Sequence, residues 1–223
     1  MRSLAELKVS EQLSLSGLKQ VFIKLEKWII QSGLLIFISG FLLGRAVILD
    51  GMTPFAIPFV AASLLLKKER AKIAFFAIIL GASLNSIENS LFVSASMLIY
   101  LLLHKLVKKR SRDVMKWVPV LVFVSVALTR LATLVIQNNM TNTGIIYAVV
   151  EAGLSLILAM IFLQSLPLLT VKPIKRTLKN EEVICFIILL ASVLTGTIGW
   201  TIYGLSVEHI LARFLVLLFA FVG

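Results

Sequence analysis

One cysteine, Cys185, stands alone in 223 residues. That excludes an intrachain disulfide and any CxxC metal or redox centre. Histidine is nearly as scarce, with His104 and His209 the whole complement. No HExxH zinc motif, Walker A loop or GxSxG nucleophile elbow occurs, so the familiar hydrolase and nucleotide signatures are missing. No catalytic, cofactor-binding or metal-ligating residue is expected in this chain. Acids are also few, eleven against twenty-two Lys and Arg. The first 27 residues hold no signal-peptide apolar core, so insertion would begin at the first spanning helix.

What the chain has in excess is apolar surface. It is 59% hydrophobic with a mean hydropathy of +1.02, where a soluble domain uses ~45–50% apolar residues. A soluble chain of this composition would expose large sticky patches. The clearest stretch is residues 144–169, GIIYAVVEAGLSLILAMIFLQSLPLL. At ~1.5 Å per residue it crosses a ~30 Å bilayer core with some tilt. Its one ionisable side chain is Glu151, and the preceding run, residues 118–136, carries one of opposite sign, Arg130.

Further apolar runs at 28–49, 54–66, 73–84, 91–104, 117–136 and 183–200 extend the pattern. They predict an all-α polytopic transmembrane helical bundle, with about seven spans. Residues 214–222 read as the start of an eighth, so the chain is expected to be truncated at its C-terminus. Spans two to four are short, at ~21 Å, and would snorkel, thin the bilayer or be partly re-entrant. Ahead of the membrane domain, 28–223, lies a basic segment, 1–27. There Leu15, Leu18, Phe22 and Leu25 recur at helical spacing opposite Lys19, Lys24 and Lys27. That suits a helix on an anionic membrane surface, or a solvated lead-in to the first span.

The net charge of +11 would suit a nucleic-acid binder if it were spread over one face. Instead it comes in clusters between apolar runs, and no nucleic-acid partner is expected. Five Lys and Arg lie in the N-terminal tail, four at 67–72, six at 105–116 and four at 172–179. If every run crosses, those nineteen of twenty-two fall on one side. By the positive-inside rule the N-terminus is cytoplasmic, and the clusters would meet anionic lipid.

The three remaining basic residues, Arg45, Arg130 and Arg213, lie inside or at the ends of apolar runs. Arg130 and Glu151 each sit six residues from the turn between their spans, ~9 Å down. They can therefore pair, as a polar lining for a solute pathway or as a packing contact that fixes helix geometry. Packing is favoured, since such pairs usually have that alternative. Gly40-x-x-x-Gly44 in the first span is a small-residue face for another helix, in this chain or in a second copy.

Several strings resemble the N-terminal membrane region of the stage II sporulation protein E family: GFLLGRAVIL (40–49), PFAIPF (54–59), VEAGLSLILAMIFLQSLPLLTVK (150–172), EEVICFIILLASVLTG (181–196) and EHILAR (208–213). The resemblance implies about ten spans anchoring a cytoplasmic region that ends in a metal-dependent PP2C-type serine phosphatase. It further implies association with a tubulin-like division protein at the polar septum of endospore-forming bacteria. There the phosphatase acts on an anti-anti-sigma factor and so activates the forespore sigma factor. This chain stops before such a domain, and its only aspartates, Asp50 and Asp113, cannot form a clustered di-metal centre. The expected function is a membrane anchor that brings the phosphatase to the septum, with the bilayer, self-association and division machinery as its partners. The alternative is a small-solute transporter or channel built on Arg130 and Glu151.

Overall fold

The computed structural model describes residues 33–49, 51–66, 68–110, 113–138, 140–170 and 179–222. The amphipathic reading of residues 1–27 lies outside them. The chain divides into two compact units, Met1–Leu35 and Ile36–Gly223, and nearly all of the first is undescribed.

Helix is the rule, as the composition predicts. In order come α1 (Leu34–Arg45), α2 (Ala56–Leu66), α3 (Lys68–Ser83), α4 (Ile87–Arg110), α5 (Val114–Ile136), α6 (Asn142–Thr170), α7 (Asn180–Thr195) and α8 (Val207–Val222). A two-residue antiparallel ribbon, β1 (Thr201–Ile202) with β2 (Leu205–Ser206), lies between α7 and α8. Local chemistry starts several helices. The Ser86 hydroxyl accepts the Asn89 N–H at 3.1 Å ahead of α4, and Thr141 Oγ1 does the same for Gly144 N–H ahead of α6. Glu88 in the first turn of α4 and Lys108, Lys109 and Arg110 in its last complement the helix dipole.

The expected seven spans are not what the helices support. Among the described residues three are long and apolar enough to cross a membrane: Ile87–Arg110, Val114–Ile136 and Asn142–Pro167. The run at 28–49 breaks early, because α1 ends at Arg45 and the chain turns back through a bridge between Ile48 and Met52. With α2 next to it, this makes apolar helices of 12 and 11 residues, only ~17 Å long. α3, α7 and α8 have 16 residues each, or ~24 Å. The run at 91–104 errs the other way. It becomes the 24-residue α4 because the flanking polar and basic residues join the helix.

Contacts make the helices alternate in direction. Phe92 near the start of α4 meets Arg130 near the end of α5, and Gln164 near the end of α6 meets Cys185 near the start of α7. α1 and α3, separated by two reversals, run parallel: Gly40 faces Ala77 and Gly44 faces Ile78.

At the centre is α2, whose residues Ala56 through Ser63 are all buried. It packs against α3, α4, α5 and α6. A helix surrounded by protein must be apolar all round, which is what AIPFVAAS provides. Around it Phe59 and Phe162 meet edge to face, at 6.3 Å between ring centres, within a core that includes Leu43, Met97, Tyr100 and Leu189. Alanines such as Ala61, Ala74, Ala77 and Ala159 are buried too, letting backbones approach where larger side chains would hold them apart.

Candidate functional site

The turn between α5 and α6 brings Arg130 and Glu151 face to face. Arg130 Nε donates to Glu151 Oε2 at 2.5 Å, and Glu151 is fully buried. A carboxylate in such surroundings needs more than one donor to offset its lost hydration. The second comes from a distant part of the chain: the Thr53 backbone N–H donates to Glu151 Oε1 at 2.8 Å.

That donor belongs to the reversal between α1 and α2. Ile48 and Met52 exchange two backbone hydrogen bonds of 2.9 Å, with Leu49 at φ 39° and Gly51 at φ 100° closing the turn. Gly51 supplies the left-handed conformation at no steric cost. Its carbonyl oxygen lies 3.4 Å from Arg130 Nη2 as an acceptor. Below the guanidinium is the face of Phe92, 4.2 Å from Arg130 Cζ to ring centre, a cation–π arrangement. The pair thus ties the α1–α2 turn, the start of α4 and the α5–α6 hairpin together.

Arg130 keeps 23% of its side-chain surface exposed, toward a cavity of about 230 Å³ whose walls include Leu49, Met52, Leu134 and Tyr147. Close by, the Thr53 and Ser155 hydroxyls are buried without a hydrogen-bond partner. Ser155 is one turn along α6 from Glu151, on the same face.

The other expected residues are not drawn into this cluster. Arg45 donates from Nη1 to the Gly196 carbonyl at 2.6 Å and lies 4.8 Å over the Trp200 ring. Its own carbonyl accepts from Asn85 Nδ2 at 2.7 Å. Arg213 is exposed on α8 and, among the described residues, forms no ion pair. Gly40 and Gly44 face α3 of the same chain, and a Cβ on Gly44 would fall 2.3 Å from the Ile78 carbonyl oxygen. Among the described residues no three His, Cys, Asp or Glu side chains gather as a metal site.

Sequence reasoning missed Thr53, Gly51 and Phe92. Asp50-Gly51 marks a turn clearly, but nothing local says that the next backbone N–H will reach a carboxylate 98 residues away. It missed Gly196 too, whose Cβ would sit 2.0 Å from the Leu42 carbonyl oxygen.

Among the described residues, a helical bundle with three helices long and apolar enough to cross a bilayer, two of them joined at one end by a buried ion pair, is the architecture of a membrane-associated domain. The chain belongs to the SpoIIE N-terminal domain family, whose profile matches residues 2–223. It is 44% identical over 208 residues to "Stage II sporulation protein E" of Bacillus subtilis (strain 168). The match takes in 93% of this chain and 25% of the relative, so the chain spans about a quarter of that protein's length. No solved structure matches it.

Proposed function

We propose that this chain is the membrane anchor of a larger sporulation protein, holding a cytoplasmic serine phosphatase at the division septum. The observation that carries the reading is family membership over nearly the whole chain, joined to a relative about four times as long. Charge supports the orientation. The described basic clusters at 68–72, 105–110, 116 and 179 lie where α3, α5 and α7 begin and α4 ends. Because the helices alternate, those points share the end of the bundle opposite Glu151. The positive-inside rule makes that end cytoplasmic.

The short helices fit this role without each crossing alone. α2 sheltered by its neighbours needs no lipid-matched length, since protein satisfies its surroundings at every depth. The transporter reading draws on the cavity beside Arg130. Against it, both Glu151 oxygens are already engaged, one by a backbone N–H, which suits a fixed joint better than a carrier of solute.

The test uses the full-length protein fused to a fluorescent reporter in sporulating cells. Septal fluorescence is expected, with weaker sporulation when an unrelated multi-span anchor replaces this region. Full rescue by the foreign anchor would reduce the role to tethering. Solute flux in vesicles, lost with Glu151→Gln, would favour the transporter.

A further inference from the structure

α2 stops at Leu66 after 11 residues, while α4 beside it runs for 24 residues to Arg110. The mismatch leaves a crevice of about 700 Å³ at the basic end of the bundle, between α2, α4 and the start of α5. That is within the ~300–1,000 Å³ of ordinary ligand sites. Leu64, Leu98, Leu101 and Leu102 form its apolar wall. A neighbouring crevice of about 390 Å³ shares Leu64 and Leu101 and carries Lys72.

The mouth is cationic. Lys105 and Lys108 both line the crevice, are exposed, and form no ion pair among the described residues. Three residues apart on α4, they project from one face. His104 lines it as well, 9% exposed, and its Nδ1 has no hydrogen-bond partner. Leucine walls do nothing for a free soluble anion, and paired lysines do nothing for a neutral lipid. An apolar chain joined to an anionic head uses both.

We propose that this crevice holds one anionic phospholipid, an acyl chain along Leu98, Leu101 and Leu102 and the headgroup phosphate between Lys105 and Lys108. His104 faces the glycerol and phosphate oxygens from the inner side. The site rests on the membrane-anchor reading and adds a lipid selectivity to it.

The full chain in neutral detergent is titrated with phosphatidylglycerol, phosphatidylcholine and inorganic phosphate, following bound lipid by native mass spectrometry and unfolding by heat. Phosphatidylglycerol should bind and raise the unfolding temperature, while the other two do neither. Lys105→Gln and Lys108→Gln, at exposed positions, should each weaken binding about fivefold, from ~1 kcal/mol per lysine near an anionic headgroup. Leu102→Trp fills the crevice from a side chain 62% exposed and should block binding with the fold intact. Equal retention of phosphatidylcholine, comparable binding of inorganic phosphate, or unchanged affinity in the Lys105→Gln/Lys108→Gln double variant would each overturn the site. Flotation with phosphatidylcholine vesicles reports separately on the anchor. Flotation without selectivity removes only the crevice, whereas failure to float removes the membrane reading with it.

Discussion

Gly81 on α3 lies so close to Phe41 on α1 that a Cβ there would sit 2.0 Å from the Phe41 carbonyl oxygen. Gly44 makes the reciprocal approach to α3. Two helices from opposite sides of the α2 excursion thus meet backbone to backbone, a contact only glycine allows.

Gly44→Ala and Gly81→Ala should each lower thermal stability in detergent, by ~1–3 kcal/mol as overpacking usually does. Both clash with main chain rather than a flexible side-chain tip. Gly153→Ala is the control, because a Cβ there meets nothing within 4 Å. It should be neutral or stabilising by up to ~1 kcal/mol through helix propensity. Equal losses at all three positions would point to a general intolerance of α-helical substitutions.

For the ion pair, Arg130→Ala should cost more than Glu151→Ala. Removing the base leaves a fully buried carboxylate held by the Thr53 N–H without its charged donor, whereas an Arg130 freed by Glu151→Ala reaches the cavity beside it. The double variant should lose less than the sum of the two, with a coupling of ~1 kcal/mol. Strict additivity in unfolding measurements would show that the contact carries no energy.

Topology can be read with single cysteines in a Cys185→Ser background, since Cys185 is the only native thiol. Asp113→Cys precedes α5 at the basic end, and Asn142→Cys opens α6 at the other. An impermeant thiol reagent added to intact cells should label Asn142→Cys alone. Labelling of both from outside would undo the proposed orientation.

The pairing of Arg130 with Glu151 was legible because a helical hairpin is local: equal distances from one turn place two side chains at one depth. The number of spans was not, because hydropathy records removal from water and not what does the covering. α2 is as apolar as a lipid-facing span, yet protein surrounds it. Nor does anything in Arg45-Ala46-Val47-Ile48 announce that α1 ends there. The chain leaves the helix to form the Ile48–Met52 bridge, with apolar Leu49 at φ 39°, and the reward is the distant contact between Thr53 and Glu151. Gly196 likewise looks like an ordinary residue in an apolar run until Leu42 packs on it.

Arg45 offers the sharpest separation of charge from shape. Its guanidinium reaches the Gly196 carbonyl and covers Trp200, while Phe41 packs against the same indole at 6.4 Å. The contact joins the end of α1 to the turn after α7 with no acid involved. A lysine keeps the charge but not the flat fork that donates sideways while stacking. Arg45→Lys should therefore fall between the native protein and Arg45→Ala in unfolding temperature. The stacking part is worth ~0.5–1 kcal/mol. Trp200 reports the change directly once Trp28 and Trp117 are replaced by Phe, since loss of the covering guanidinium should shift its emission to the red. If Arg45→Lys matches the native protein in both stability and emission, a point charge is enough and the stacked geometry is incidental.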